Sequence, residues 1–504
     1  MVEISDVISE SLSEYLILTG WIGNKPEDVS LHAKLGESID LQYPFMTARM
    51  QCVVGPEMAV AAGRNGILTM VPRSLRDKDK QAVIDANKNA RLNEGDIEFV
   101  ENPESAEPED TLEEVTKKIE RVGHSVVPAL DRKSKLYGIY VHDPDHPPLV
   151  PPNTPVKEVM HPLGSKGIDY LVSEDKRKIK RILKREGKRF VSIVDRNMVL
   201  QKLAFLQTFN TNYIGIAIST RKGWKKEIEK WGPQVDTLTI DSSNACFPDA
   251  LKILKYVKES SEFKDKPFGI GNIIQGRDLT IFAENGADYV IGGMGVGSIC
   301  RTGSERGNGR GQFTVARELA EARDAYAKKR YVFVIIDGSM SNIKDITVAL
   351  AFGDFVMMGN YFNRFYEAAA QKFDADKKPT IEENLMRYVE TWGEGHPRAR
   401  LVAMYGINNF RQALKSASKG TTRVLERYGH SSISSATVEG IVGLTDYRGR
   451  LKPCVENDAR YVRTTISNAG ASDLECFRDK AVLEKASQRT LRDMLPHDVE
   501  VTEQ

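Results

Sequence analysis

The sequence predicts an α/β protein, a closed (β/α)8 barrel of the TIM type carrying an inserted domain. Eight short apolar runs alternate with amphipathic stretches, which implies parallel pairing. From Tyr213 onward the runs start roughly 20–30 residues apart, the length of one strand-plus-helix unit. One interval, Tyr289 to Val332, is much longer, and a glycine-rich loop fills the excess. A doubly wound open sheet is the competing arrangement.

The strands are expected at Pro44–Thr47, Gly66–Val71, Tyr213–Ile218, Thr237–Ile240, Pro267–Gly271, Tyr289–Gly292, Val332–Ile336 and Phe355–Met358. Helical patterns lie between them at Gln81–Arg91, Trp224–Trp231, Pro248–Ser260, Asp278–Asn285, Thr314–Lys329 and Ile343–Phe352. Barrel residues are thus expected over 1–95 and 207–504. The first insertion, 96–206, opens with the polar link Glu101–Asp110. It then makes two similar passes of roughly 50 residues, one through Val126–Leu130 and one ending in Phe190–Val194, as a tandem αβ repeat would. The second insertion, 372–450, is rich in Gly, Ser, Arg and Lys and suits a mobile lid over a barrel mouth.

The 504 residues carry a formal net charge of +1, with 28% charged and 41% apolar residues. That balance implies no pull toward nucleic acid or a membrane surface. The five cysteines show no CxxC or CxxH spacing, which argues against a disulfide framework and a zinc site. Cys52, Cys246, Cys454 and Cys476 read as inert small apolar residues. No signal peptide, membrane-length apolar run or sorting tail is recognisable, so the expected location is cytoplasmic.

The chemistry concentrates in Gly292–Gln312, where eight of 21 residues are glycine. Such a loop needs a reason: positive φ, close approach to a ligand, or mobility. Gly295, Gly297 and Ser298 can present backbone N–H groups to a phosphate. Cys300 follows directly, with Arg301, Arg306 and Arg310 nearby to favour its thiolate. A thiolate beside an anion cradle outlines a cysteine nucleophile acting on a phosphorylated substrate.

Gly295-Val296-Gly297-Ser298-Ile299-Cys300-Arg301-Thr302 resembles the signature loop of the inosine monophosphate dehydrogenase and guanosine monophosphate reductase family. Arg427-Tyr428 resembles the catalytic pair of the dehydrogenase flap, and Gly269-Ile270-Gly271-Asn272-Ile273 the segment lining the nucleotide site. The 96–206 insertion is similar to the tandem CBS (Bateman) module. The resemblance implies that Cys300 attacks C2 of inosine monophosphate (IMP), that a hydride passes to NAD, and that water releases xanthosine monophosphate. Arg427 and Tyr428 would activate that water, with Thr302 and Glu439 as a second route.

The same likeness places the phosphate on Ser298, Gly338, Ser339, Gly359 and Asn360, and the ribose on Asp337. Thr47 and Met50 would lie near the base, with Trp392, Gly393, Glu394 and Gly395 beside the substrate. Asp241, Ser242, Ser243, Asn272, Gly293 and Gly295 would meet NAD, and carbonyls of Gly295, Gly297 and Cys300 a potassium ion. It further implies a homotetramer, adenine or guanine nucleotides at the CBS module, and, as the alternative activity, NADPH-dependent deamination of guanosine monophosphate.

Several positions depart from the family pattern. Ala-Pro-Met-Asp reads Ala48-Arg49-Met50-Gln51, Asp-Gly-Gly reads Asp337-Gly338-Ser339, and Gly-Ser reads Gly359-Asn360. The flap's Tyr before Gly-Met-Gly reads Trp392 before Gly393-Glu394-Gly395, and Arg301 replaces an uncharged residue. No Glu-Gly-Gly lies near Gln504 to complete a potassium site.

Overall fold

The computed structural model describes residues 5–122, 125–143, 147–340, 342–407 and 440–496. The chain divides into two compact units, one formed by Met1–Ala90 with Asn212–Gln504 and one by Arg91–Thr211.

The larger unit is built on eight parallel strands: β1 (Phe45–Thr47), β2 (Thr69–Val71), β3 (Ile214–Ile218), β4 (Thr237–Asp241), β5 (Phe268–Ile273), β6 (Tyr289–Gly292), β7 (Phe333–Asp337) and β8 (Phe355–Met358). Each pairs with its sequence neighbour, and β8 pairs with β1. A parallel bridge between Met46 and Leu68 joins β1 to β2. The ring therefore closes, which rules out the open sheet. All eight strands fall where the apolar runs place them. Their near-continuous apolar character follows from burial on both faces.

Two packed layers hold the ring. Inside it, Met46, Met70, Tyr289, Ile291, Ile335, Phe355 and Met357 fill the lumen. The buried Tyr289 hydroxyl donates to the Leu238 carbonyl at 3.0 Å, so its one polar atom is satisfied. Outside it, helices cover the strands with single apolar faces. The helix Pro248–Glu259 starts on a proline and buries Ala250, Ile253, Leu254 and Val257 at helical spacing. Each large apolar side chain so buried contributes about 1.5–3 kcal/mol.

The smaller unit repeats itself. A helix (Leu112–Val122) and two antiparallel strands (Val126–Leu130, Leu136–Val141) recur as Lys176–Glu186, Phe190–Val194 and Leu200–Leu206. Leu112 to Lys176, Val126 to Phe190 and Leu136 to Leu200 are each 64 residues apart, a longer period than the sequence suggests. The hairpin turns match in chemistry. Asp131 Oδ1 accepts from the N–H groups of Lys133 and Lys135, and Asp195 Oδ1 from those of Asn197 and Val199. Ser134 and Met198, also 64 apart, both take positive φ.

The segment 372–450 is not purely a lid. Lys372–Phe373, Pro379–Thr380, Tyr388–Trp392 and Val442–Asp446 form a four-stranded antiparallel sheet, followed by the helix Pro397–Tyr405. Val389 and Trp392 of that sheet are fully buried, which fixes it to the barrel core. Arg427, Tyr428 and Glu439 lie outside the described residues.

Candidate active site

A cavity of about 400 Å³ opens at the C-terminal ends of the strands. Its wall takes Met50 from the turn after β1, Asp241, Ser242 and Ser243 from β4, and Asn272 from β5. Gly293, Gly295, Gly297, Cys300 and Thr302 come from the loop after β6, Asp337 and Gly338 from β7, and Gly393, Glu394 and Gly395 from the antiparallel sheet. Barrel strand ends or loops and the antiparallel sheet thus supply one pocket, at the face where barrels build their sites.

Two staples hold the loop after β6. Asn272 Nδ2 donates to the Gly293 carbonyl at 2.7 Å and Gln312 Nε2 to that of Gly292 at 2.9 Å. Gly293 has a φ of 140°, and a Cβ there would lie 2.2 Å from the Asp337 carbonyl oxygen, so only glycine fits. The Cys300 N–H donates to the Gly297 carbonyl at 2.9 Å, closing a turn that uses one of the carbonyls expected to reach potassium. Among the described residues, no group of three His, Cys, Asp or Glu side chains is arranged to hold a metal ion.

At this turn the half-buried Cys300 thiol donates to Thr302 Oγ1 at 3.3 Å. Cys300 also bridges to Gly440, the Ile441 N–H donates to the Ile299 carbonyl at 3.2 Å, and the Gly393 N–H to that of Ile441 at 3.1 Å. The Cys300 loop is therefore the outer strand of a small ladder running into the Trp392 sheet. A Cβ on Gly393 would meet the Gly440 Cα at 3.0 Å, and the reverse holds for Gly440, so two bare backbones make this approach possible. Two of the three arginines expected to favour the thiolate are engaged elsewhere: Arg301 pairs with Glu305, and Arg310 Nη1 reaches Glu318 Oε2 at 2.8 Å. By contrast, burial pushes the Cys52 thiol up to about 12, which suits an inert cysteine.

Asp337 and Asp241 face each other across Arg49. Arg49 Nη2 lies 3.1 Å from Asp337 Oδ2 and donates to Asn272 Oδ1 at 2.7 Å, while Nη1 lies 3.1 Å from Asp241 Oδ1. Asn272 Nδ2 adds a bond to Asp337 Oδ2 at 3.0 Å, and Arg73 Nε one to Asp241 Oδ2 at 3.1 Å. Burial raises the Asp337 carboxyl and Arg49 opposes that rise. Glu394 accepts from the Gln51 N–H at 2.7 Å and from the Ser74 hydroxyl; burial pushes it up to about 7.

Other expected site residues stand apart from the pocket wall. Thr47 is buried between β1 and β2, where its Oγ1 accepts from the Met70 N–H at 3.0 Å. Trp392 is a fully buried core residue whose Nε1 donates to Gln51 Oε1 at 3.3 Å. Ser339 donates its hydroxyl to the Val296 carbonyl at 2.6 Å, tying the β7 turn to the β6 loop. Gly359 packs under Met50, Asn360 begins a short helix, and Ser298 is exposed. Sequence reading missed Arg73, Ser74 and Arg400 in the wall and gave Arg49 no role. Position was the available signal, since Arg49, Arg73 and Ser74 directly follow barrel strands.

A family model described as IMP dehydrogenase / GMP reductase domain matches residues 10–497. Curated relatives named inosine-5'-monophosphate dehydrogenase include one from Tritrichomonas foetus, 28% identical over 97% of this chain and 96% of its own length. Another, from Aquifex aeolicus, is 24% identical over 100% and 98%. A solved GMP reductase from Trypanosoma brucei, in complex with guanosine 5'-monophosphate, superposes with a TM-score of 0.65 at 20% identity, covering 98% of this chain and 99% of that one. That last likeness carries the fold alone. A closed barrel with its cysteine loop at the strand ends, matched along nearly its whole length by the family model, belongs to the IMP dehydrogenase / GMP reductase family of oxidoreductases.

Proposed function

We propose that this protein oxidises IMP to xanthosine monophosphate with NAD, through a covalent bond between Cys300 and the purine. The reading is carried by the 3.3 Å pair of Cys300 Sγ and Thr302 Oγ1 in the wall of a pocket that also holds Asp337 and Asp241. In the reaction Cys300 Sγ adds to C2 of the purine. C2 then loses a hydride, leaving a thioimidate on the sulfur. Water adds to C2, the carbon–sulfur bond breaks, and the thiol is restored. Splitting one hard step into two is the gain of a covalent nucleophile. NAD, when bound, supplies the hydride acceptor; Asp241, Ser242 and Ser243 would hold it through hydroxyl-accepting and hydroxyl groups on one rim.

Asp337 would accept from the ribose hydroxyls, and the backbone of Gly338 would face the phosphate. Thr302 would carry the proton that water loses and Glu439 would take it up, as a hydroxyl relays to a carboxylate. The test is to mix the protein with IMP and NAD and follow NADH by absorbance, then search for a mass adduct on the Cys300 peptide after acid quench. NADH formation and an adduct support the reading; their absence with intact protein sinks it.

A second reading uses the same parts. Cys300 and Thr302 would serve equally in NADPH-dependent deamination of guanosine monophosphate, and a solved GMP reductase shares the fold. Ammonia release from guanosine monophosphate, with no NADH from IMP, would select it.

We infer that the 91–211 unit is a tandem CBS module binding adenine or guanine nucleotides. The 64-residue repetition of helix, hairpin and Asx turn supports this. Titration of the full chain with ATP and GTP, with and without residues 91–211, tests it. Loss of nucleotide binding with basal activity kept is the expected result.

A further inference from the structure

The mouth of the barrel holds two carboxylates that would repel each other if left alone. Asp241 and Asp337 end β4 and β7, and the charge of Asp241 adds to burial in raising the cost of ionising Asp337. One residue touches both. Arg49 is 7% exposed and reaches in from the end of β1, with its two terminal nitrogens each 3.1 Å from one carboxylate. Arg73 adds a second cation on the Asp241 side, its Nε 3.1 Å from Oδ2. The division of labour at Asp337 is specific. Its Oδ2 takes both Arg49 and Asn272, while its Oδ1 makes no hydrogen bond among the described residues and is left for a ligand.

A guanidinium suits this task because its planar fork spans two acceptors in fixed geometry, which an ammonium cannot do. Arg49 also stands where the family pattern has proline, which carries no charge and no donor.

We propose that Arg49 is a positioning residue that sets ribonucleotide over 2′-deoxyribonucleotide selectivity, by pinning Asp337 so that Oδ1 faces the 2′-hydroxyl of the mononucleotide. The proposal rests on the reading that Asp337 holds the substrate ribose. A hydroxyl donating to a carboxylate contributes about 1.5–3 kcal/mol, or about 10- to 100-fold in affinity. Removing Arg49 leaves Asp337 held by Asn272 alone among the described residues, so the carboxylate gains freedom to turn and the preference should collapse.

The experiment compares KM and kcat for IMP and 2′-deoxy-IMP in the wild type, Arg49→Met and Arg49→Lys. The wild type should prefer the ribonucleotide by tenfold or more in KM. Arg49→Met should bring the two KM values within about threefold of each other, with kcat on IMP changing less than KM. Arg49→Lys should fall between, because one ammonium can hold Asp337 or Asp241 but not both. Alkylation of Cys300 by iodoacetamide at the wild-type rate would show that the nucleophile loop is intact. Should Arg49→Met fail to fold, Arg49→Lys decides: a ratio below wild type supports the proposal, and an unchanged ratio overturns it. A wild type that turns over both nucleotides alike overturns this proposal and leaves the proposed function standing. A wild type that neither binds nor oxidises IMP removes both.

Discussion

The Cys300 thiol donates to the Thr302 hydroxyl across 3.3 Å, and both residues sit within one turn of a loop stapled at Gly292 and Gly293. Two side chains that close need no rearrangement to share a proton. The consequence is a division of roles that substitution can separate.

Cys300→Ala removes the nucleophile and should abolish turnover while nucleotide still binds, since Asp337 and Gly338 remain. Thr302→Val keeps the buried shape but loses the acceptor, and should lower kcat about 100-fold, within the usual range for a lost acid–base group. Thr302→Ser keeps the hydroxyl and should stay within about tenfold of wild type on the same scale. Steady-state rates with a binding titration check all three; full activity in Cys300→Ala would refute the nucleophile assignment.

The ladder of Cys300, Gly440 and Gly393 predicts a second effect. A methyl at Gly440 would press on the Gly393 Cα at 3.0 Å, where neither backbone has a flexible end to move. Gly440→Ala should therefore push the two chains apart and displace the Cys300 turn. We expect kcat to fall at least about tenfold, because angstrom-scale misplacement of a reacting group costs that much or more. The melting temperature should drop only slightly, since the added methyl shifts loop backbone and leaves the buried side chains of Val389 and Trp392 in place. A variant with wild-type kcat would show that the pairing does not position the sulfur.

Much of this was legible in the sequence, and the boundary is physical. Strand periodicity and loop length depend on local burial, so all eight strands and the position of Cys300 could be read directly. The arginine environment of the thiolate could not. Arg301 and Arg310 lie near Cys300 in sequence, yet a carboxylate one or two turns further along captures each: Glu305 and Glu318. Trp392 looked like a pocket residue because of its neighbours Gly393 to Gly395, but it ends a strand buried on both faces and its large ring lies in the core. Arg49 was visible as an oddity and unreadable as a bridge, because its partners lie 192 and 288 residues away and meet it only when the ring closes. The repeat period in the smaller unit was underestimated because the connecting segments carry no apolar pattern to count.

Ser339 offers a test of backbone strain. It holds φ at 63°, a region costly for any residue with a Cβ, and its hydroxyl donates to the Val296 carbonyl. Ser339→Ala loses the bond and keeps the strain; Ser339→Gly loses the bond and relieves the strain. The alanine variant should be less stable than the glycine one by about 1 kcal/mol. Urea midpoints at equal slope would measure the difference, and equal midpoints would argue that the turn relaxes to negative φ when the hydroxyl is removed.

Glu394 should leave a signature in the pH dependence of stability. Burial raises its carboxyl from the ordinary 4.5 to about 7, so the folded protein binds this proton more tightly than the unfolded chain does. Between those two values the folded state carries the extra proton, and stability must fall as pH rises through the interval. The favourable contribution is full below about 4.5 and gone above about 7. At 1.36 kcal/mol per unit the total is on the order of 3 kcal/mol. Glu394→Gln cannot ionise, yet its carbonyl can still accept from the Gln51 N–H and its amide can donate to the Ser74 hydroxyl. Its unfolding free energy should therefore lack this downward slope, and should exceed that of the wild type at pH 8 while matching it near pH 5. Denaturant titrations at half-unit steps resolve the two curves. Parallel curves across the whole range would mean that Glu394 ionises freely, and that the short contact with Ser74 holds a carboxylate rather than a carboxylic acid.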